Sequence, residues 1–357
     1  MARSLVLEGP RNLRLQADDA PALGPRDVRV RASLSGISHG TELNLYRGTS
    51  GFSDHVFDRE LRSFLRPDPP RSTYPAPLGY ELVGVVTEVG AEVDELAAGD
   101  LVHAGLPHGE EAVLDLDTAL QATYPLLKLP AGVPHERWLF VSLGMVALVA
   151  VHDARIKVGD HVAVFGLGAI GLLLVQLARM AGAARVTGVD PVPARRELAR
   201  GLGADAVLDP REPAEGVGPA IKRAGRRGVD VAVETSGSSA ALQGAIAAAG
   251  LGGTVVTVGF YQGGAPELRL GEEWHHNRLE MVSSMGAWGA PHRAYPAWDR
   301  QRVAQTIVDL LAAGRLEVDT FPLRHFPFDE AAAAYGWLDA HPDEAIKVAL
   351  TYDGTTP

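Results

Sequence analysis

Two hydrophobic rhythms divide the chain. Up to about residue 150 the apolar residues come in short alternating runs. "DVRVRASLSGIS" alternates and then turns, "YELVGVVTEVG" is Val-rich and ends in Gly, and "AGDLVHAG" is bounded by Gly. Alternation of period two closed by Gly predicts half-buried strands. Beyond residue 150 the rhythm changes. "HVAVFGLGAIGLLLVQLARMAGAARVTGVD" reads as strand, tight Gly turn, apolar helix, Gly stop and strand, and "PARRELARGLGADAVLD" as helix then strand. "VDVAVETSG", "GGTVVTVGF" and "RLEMVSSMG" are further strands, with the helix "SAALQGAIAAAG" between the first two. Strand and helix alternating at this spacing predict a parallel sheet with helices on both faces, an α/β fold. The tail adds the amphipathic helices "RVAQTIVDLLAAGRLE" and "DEAAAAYGWLDA" and the closing strand "AIKVALTY".

One segment follows neither rhythm. Residues 48–78, "GTSGFSDHVFDRELRSFLRPDPPRSTYPAPL", carry Gly at the front and five prolines at the back. The middle, "FDRELRSFLR", reads as a helical turn or two. A connection this long is a functional lid or a disordered loop. Phe52, Phe57, Phe64, Leu65 and Tyr74 suggest an apolar lid over a bulky or cyclic substrate.

Composition narrows the function classes. A chain of 357 residues with 46% hydrophobic content can bury a large core and favours two domains. A net charge of −11 argues against broad binding to a phosphate backbone, so no nucleic-acid partner is expected. Cysteine is absent, which excludes disulfides and every thiolate metal site. The start lacks a signal-peptide core, and no run of about 18 apolar residues stands out. A cytoplasmic protein without a membrane span is the expectation.

Chemistry enters with "GLGAIG". Gly166, Gly168 and Gly171 form G-x-G-x-x-G, which alone is weak. Here it follows the strand "HVAVF", opens the helix starting at Ala169 and Ile170, and precedes a strand ending in Asp190, 19 residues after Gly171. That is the dinucleotide-binding fingerprint of a Rossmann domain. Gly166 permits the tight turn, Gly168 lets a pyrophosphate approach the backbone, and Gly171 allows close helix–strand packing. Asp190 can accept both ribose hydroxyls and repels a 2′-phosphate, which favours NAD(H) over NADP(H). Arg195 and Arg196 lie just beyond and can blunt that preference. Ser236 and Gly237 in "ETSG", and Gly259 and Phe260 at the end of "TVVTVGF", are further candidates to border the cofactor. The plain alternative is that the glycines only make a tight turn; strand, turn, helix and acid together speak against it.

With "GISHGTEL", "PLGYELVGVVTEVG", "AAGDLVHA" and "VGDHVAVFGLGAIGLLLVQLARMAGA", the chain resembles the medium-chain dehydrogenase/reductase family, the zinc alcohol dehydrogenase group. Within it, "SGIS-x-GTE" and "GYE" resemble the bacteriochlorophyllide a dehydrogenase branch. The resemblance implies a GroES-like catalytic domain built from residues 1–150 and 290–357, with a Rossmann NAD-binding domain at 151–289 inserted and the active site in the cleft between them. It also implies a small-molecule substrate and a homodimer or homotetramer.

The resemblance breaks where the family holds zinc. Its members carry a Cys in a "GICGTDLH"-like stretch, a "GHE" further on, and an acid or Cys before the cofactor domain. Here either Ser38 or His39 takes the first ligand's place, because one residue is inserted. Tyr80 replaces the His ligand, Glu81 keeps the neighbouring acid, Asn44 replaces the His that ends "GTDLH", and Ser142 and Leu143 stand near the third ligand. A catalytic zinc needs three good donors, and only His39 and Glu81 are strong ones, so no zinc is expected. Hydrogen-bond donors then have to stabilise the developing alkoxide. Tyr80 is the expected donor, acting as general acid if its pKa is lowered. Ser38 or His39 is a second donor, and Thr41 falls where the family has a relay hydroxyl. Plainer readings stand beside these: Ser38 and His39 in a solvated turn, Tyr80 a core aromatic, Glu81 a buried acid paired with an Arg that ties the domains together.

The other histidines carry weaker signals. His152 reads as a core or cofactor-facing residue, His103 and His108 as members of a surface turn, and one of His275 and His276 as a candidate to line the substrate pocket. The expected function is zinc-independent, NAD(H)-dependent interconversion of a secondary alcohol and a ketone. The alternatives are reduction of a C=C bond in an enone or quinone, and non-catalytic dinucleotide binding.

Overall fold

The computed structural model describes residues 2–352 apart from 19–20, 52–54, 70–71, 226, 263 and 287–297. Phe52 of the expected lid lies outside the described residues. The chain forms two compact units, one of residues 1–139 and 322–357, the other of Phe140–Phe321.

The first unit is built on a seven-stranded sheet. Its central strand, Asp27–Ile37, pairs antiparallel with Leu82–Val89 on one side and with Lys347–Thr351 on the other. Leu323–Pro327 runs parallel to Lys347–Thr351 at the edge. The chain's last strand therefore lies beside one of its first. Gly36 is opposite Ala349, and its N–H donates to the carbonyl of Glu81 at 2.8 Å. The core beneath holds Leu5, Val28, Val30, Ile37, Leu43, Val86, Val102, Tyr335 and Val348.

The second unit is a six-stranded parallel sheet. The order is Ala206–Leu208, Arg185–Val189, His161–Phe165, Val229–Glu234, Ala249–Thr257 and Glu280–Ser283. The inner strands Arg185–Val189, His161–Phe165 and Val229–Glu234 are largely buried, as strands of a parallel sheet covered by helices are. The helix Ala169–Ala181 packs on the sheet with residues 171–178 buried. The expected domain limits of 151 and 289 fall inside this unit. It is larger because the helix Val141–Ala154 packs against Ala169–Ala181, and Arg300–Ala312 packs against Val141–Ala154 in turn. The sequence reading found no long apolar run, yet helix 135–154 is apolar and long enough to span a bilayer by composition alone. Most of it is buried inside the protein, as a core helix would be.

The 48–78 segment departs from its expected helical turn. Val56–Asp58 and Ser63–Leu65 form a β-hairpin with Phe57 edge-on to Phe64, centroids 5.1 Å apart. The turn decides the outcome. Asp58 Oδ1 accepts from the N–H groups of Glu60 and Leu61 at 2.9 and 2.7 Å, and Arg62 takes φ 54°, which breaks a helix. Phe64 and Leu65 are exposed at 50% and 42%, and the Tyr74 hydroxyl donates to the Leu45 carbonyl at 2.7 Å.

One glycine of the turn between His161–Phe165 and Ala169–Ala181 is fixed by sterics. A Cβ on Gly171 would overlap the Gly166 carbonyl oxygen, a backbone atom that cannot swing away. Gly171→Ala is therefore expected to lower the urea midpoint by the equivalent of roughly 1–3 kcal/mol, the range for overpacking. An unchanged midpoint would contradict the close approach.

Candidate active site

The first unit buries charged groups where its resemblance places the metal. Glu81 and Lys347 form an ion pair with side chains 0% and 1% exposed. Both cross the face of Gly36, where a Cβ would lie 2.5 Å from Lys347 Cε and 2.7 Å from Glu81 Oε2. Glu81 Oε1 has no hydrogen-bond partner among the described residues. Burial pushes the Glu81 carboxyl up to about 7 against the opposing pull of Lys347. The partner of Glu81 is thus a Lys rather than an Arg. Because residues 81 and 347 share one unit, the pair stitches the two ends of that unit's chain and does not tie two domains.

The other candidate side chains belong to the same unit. Tyr80 stacks on Tyr124 with centroids 5.2 Å apart and planes 14° from parallel. Both rings are half-buried. The Tyr80 phenol is pushed well above its ordinary range, first by desolvation and then by the charges of Glu81, Tyr124 and Glu42; a hydrogen bond with Ser38 opposes them. The expected lowering of the Tyr80 pKa is therefore reversed, first because the phenol is desolvated and then because the neighbouring charges are negative. The phenol stays protonated and serves as a hydrogen-bond donor. Ser38 is buried, while His39 is half-buried and Thr41 is exposed in the first turn of the helix Thr41–Arg47. Asn44 Nδ2 donates to the Gly40 carbonyl at 2.9 Å and so is spent on the turn.

Glu42 was missed in the sequence, and it anchors the Ser38 loop. Its Oε1 accepts the Ser38 N–H at 2.8 Å, and its Oε2 accepts from the Tyr335 hydroxyl and sits 3.0 Å from His108 Nε2. His108 Nδ1 lies 2.7 Å from Ser35 Oγ, which lies 2.7 Å from the Tyr352 hydroxyl. Burial raises the Glu42 carboxyl, but His108, Tyr335 and the Ser38 N–H together prevail and hold it below its usual range. His103 and His108, expected in a surface turn, are both 0% exposed. The apolar "LVHA" strand pairs on both sides and takes His103 inside, and the absence of a Cβ at Gly79, which would lie 2.6 Å from the His108 backbone N, leaves room for His108. The signals that could have found these residues are single polar side chains inside apolar runs: Glu42 in "TEL", Lys347 in "AIKVAL" and His103 in "LVHA".

The second unit gathers the cofactor candidates at the strand ends. Gly166 takes φ 87°, and Gly168 caps the helix Ala169–Ala181, whose first residues, Ala169 and Ile170, are half-buried. Asp190, 3% exposed, accepts the N–H of Leu167 at 2.7 Å and of Val192 at 2.8 Å. Arg195 lies 4.0 Å from Asp190, and Arg196 is held by the Asp190 carbonyl and by Asp209. Glu234, also missed, clamps two loops. Its carboxylate accepts from the Ser236 N–H at 2.7 Å, the Gly237 N–H at 3.1 Å and the hydroxyls of Ser236 and Tyr261. A Cβ on Gly259 would overlap Gly237, and Phe260 is 47% exposed beside them. These close approaches leave backbone bare at the strand ends, which fits a dinucleotide. His152 packs edge-on to Trp298, and His275 and His276 are exposed.

The zinc-group donors do not fit a metal. Among the described residues, no group of three His, Cys, Asp or Glu is placed to hold an ion. Glu81 and Glu42 are engaged as above, and Ser142 and Leu143 sit in the first turn of the helix Val141–Ala154.

The family model described as alcohol dehydrogenase GroES-like domain matches residues 24–115, and the one described as zinc-binding dehydrogenase matches 169–301. D-guloside 3-dehydrogenase of Escherichia coli (strain K12) is 35% identical over 98% of this chain and 100% of its own. The chain belongs to the medium-chain dehydrogenase/reductase family. (R,R)-butanediol dehydrogenase of Bacillus subtilis (strain 168) is 30% identical over 71% of this family member and 76% of its own length. The solved structure of 2R,3R-butanediol dehydrogenase from Bacillus subtilis superposes with TM-score 0.78, at 23% identity over 98% of this chain and 99% of that one. As a member of a dehydrogenase family with sugar and alcohol dehydrogenases among its relatives, the chain is an oxidoreductase.

His103 gives a pH-dependent handle on this site. Burial, helped by the charge of Lys347, pushes its imidazole down to about 3 from 6.5. In the unfolded chain it takes a proton below about 6.5; in the fold it stays neutral until about 3. Its contribution is whole above that upper value and is lost as pH falls. Between about pH 7 and about pH 4 the wild type should lose a few kcal/mol more than His103→Asn in urea unfolding. Parallel losses in both proteins would refute the neutral buried imidazole.

Proposed function

We propose that the protein is an NAD(H)-dependent dehydrogenase acting on a secondary alcohol of a cyclic polyol such as a sugar glycoside, and that it works without zinc. The observation that carries this reading is the substitution of a protonated phenol, Tyr80, and its Ser38 partner for metal donors, beside an intact fingerprint for a dinucleotide. The glycoside is suggested by the relative named D-guloside 3-dehydrogenase. A cyclic substrate also suits the apolar hairpin with Phe57, Phe64 and Leu65.

Gly166, Gly168 and Gly171 would hold the pyrophosphate, with Ala169 and Ile170 supplying backbone N–H groups. Asp190 would take the ribose hydroxyls, and Arg195 flanks them. Ser236, Gly259 and Phe260 would border the nicotinamide half. When bound, NAD(H) supplies the hydride acceptor or donor. The Tyr80 hydroxyl donates to the substrate oxygen, so negative charge developing there meets a fixed dipole. Ser38 holds the phenol in place, and Glu42 holds Ser38 through its backbone. His39 and Thr41 provide a further donor and an exposed hydroxyl by which a proton can leave toward solvent. Glu81 stays out of contact with substrate and acts through its charge.

Turnover with NAD+ and NADP+ over methyl glycosides and vicinal diols, and with NADH over ketones and enones, tests the reading. NAD+-linked oxidation of a secondary hydroxyl is the expected result. Activity on enones alone would replace it with C=C reduction, and tight NADH binding without any turnover would leave a non-catalytic binding protein. Tyr80→Phe should lower kcat on the order of 100-fold, the scale of one lost oxyanion donor, with the NADH Kd unchanged. Unchanged kcat would remove Tyr80 from the chemistry.

A further inference from the structure

We propose that Glu234 and Tyr261 are positioning residues for the nicotinamide half of a bound dinucleotide: together they set two strand-end loops before the cofactor arrives. This rests on the preceding assignment of Ser236, Gly259 and Phe260 to that half. All the residues involved belong to the second unit.

The sheet stops pairing at Glu234. Its strand, Val229–Glu234, runs beside Ala249–Thr257, and the last partners are Glu234 and Thr257. Beyond that point residue 234 itself takes over. Its backbone carbonyl accepts the N–H groups of Val258 at 2.8 Å and Gly259 at 3.2 Å. Its carboxylate, 0% exposed, accepts the Ser236 N–H at 2.7 Å, the Gly237 N–H at 3.1 Å and the hydroxyls of Ser236 and Tyr261. Every one of these donors lies past the last strand pair. A buried carboxylate is tolerated only with such donors, and the strands below are already paired without it. The bonds of this acid therefore go to the shape of the loops rather than to the sheet.

The clamp sets a close crossing. A Cβ on Gly259 would lie 2.3 Å from the Gly237 backbone N and 2.9 Å from Glu234 Oε2, and a Cβ on Gly237 would lie 3.2 Å from the Phe260 carbonyl oxygen. Tyr261 is held at both ends: its ring packs against the hydrophobic core of the unit, and its hydroxyl reaches Glu234. Phe260, 47% exposed, is thus carried between two anchored residues. Thr235 is tied differently. Its N–H donates to the Phe165 carbonyl at 2.9 Å, and its hydroxyl to the Gly166 carbonyl at 2.8 Å. The Gly166 turn keeps those bonds when the Glu234 side chain changes, so the two halves of the site have separate anchors.

A loop that is already set costs less to order on binding. Glu234→Gln keeps the size of the side chain but turns one acceptor oxygen into an NH2 group that faces donors. Tyr261→Phe removes one hydrogen bond and leaves the ring. In both variants the nicotinamide half has to order the loops itself, whereas adenosine and its phosphates still meet the Gly166–Gly171 turn and Asp190. Affinity for NADH should therefore fall, and affinity for ADP should not.

The test titrates wild type, Glu234→Gln and Tyr261→Phe with NADH and with ADP by calorimetry, and follows amide hydrogen exchange in the free proteins. Faster exchange is expected at Ser236 and Gly237 in Glu234→Gln. The NADH Kd should rise roughly tenfold in Glu234→Gln and by less in Tyr261→Phe, with the ADP Kd within about twofold of wild type in both. Loosened loops with an unchanged NADH Kd, or equal losses for NADH and ADP, would overturn the proposal and leave Glu234 a folding element. If Glu234→Gln does not fold, Tyr261→Phe decides by the same comparison. A wild type that takes up no NADH would sink the cofactor assignment and this proposal with it; where NADH binds, that assignment stands and the clamp alone is judged. Neither titration needs turnover.

Discussion

Two opposite charges are buried against the bare backbone of Gly36, and much of the first unit is arranged to keep them there. Removing one member of such a pair costs roughly 3–5 kcal/mol, so neither can change alone. Lys347 opens the strand Lys347–Thr351 from the end of the chain, and Glu81 precedes the strand Leu82–Val89. Both strands flank Asp27–Ile37, and the glycine in that central strand gives the two side chains their room. The same juxtaposition puts negative charge beside Tyr80 and a cation beside His103. Sheet pairing and the burial of an ion pair are thus one problem solved together.

A second carboxylate network runs alongside. Glu42, with His108, Tyr335, Ser35 and Tyr352, joins the first helix, the loop that carries His108 and the C-terminal elements through buried hydrogen bonds. Its ionised form is favoured because three donors meet it, which is the condition for burying a carboxylate. In the second unit, Glu234 plays a comparable part at the strand ends, drawing Ser236, Gly237 and Tyr261 together so that Gly259 passes close to Gly237. Every one of these acids is spent on shaping a loop that carries a candidate site residue.

The sequence made the fold readable wherever periodicity was strong. The parallel strands from His161 to Ser283 and the helices Ala169–Ala181 and Arg300–Ala312 appear where the apolar pattern put them. It failed where a few atoms decide. "FDRELRSFLR" has a helical composition, but the Asp58 turn and the left-handed Arg62 make it a hairpin. The helix Val141–Ala154 belongs by packing to the unit after it, which no period along the chain can reveal. The departures at Ser38, Tyr80, Asn44 and Ser142 were visible one by one against the family pattern. Lys347, Glu42 and His108 were not, because their roles depend on partners 66 to 293 residues away. The direction of the Tyr80 shift was misread because burial of the phenol, its first cause, is a property of the fold.

The proposed function asks hydroxyls to do the work of a metal ion at the substrate oxygen. Metal analysis of the purified protein, with turnover measured before and after prolonged chelation, tests that claim most directly. The account predicts zinc well below one atom per chain and turnover indifferent to the chelator. Stoichiometric zinc whose removal abolishes turnover and whose return restores it would contradict the account.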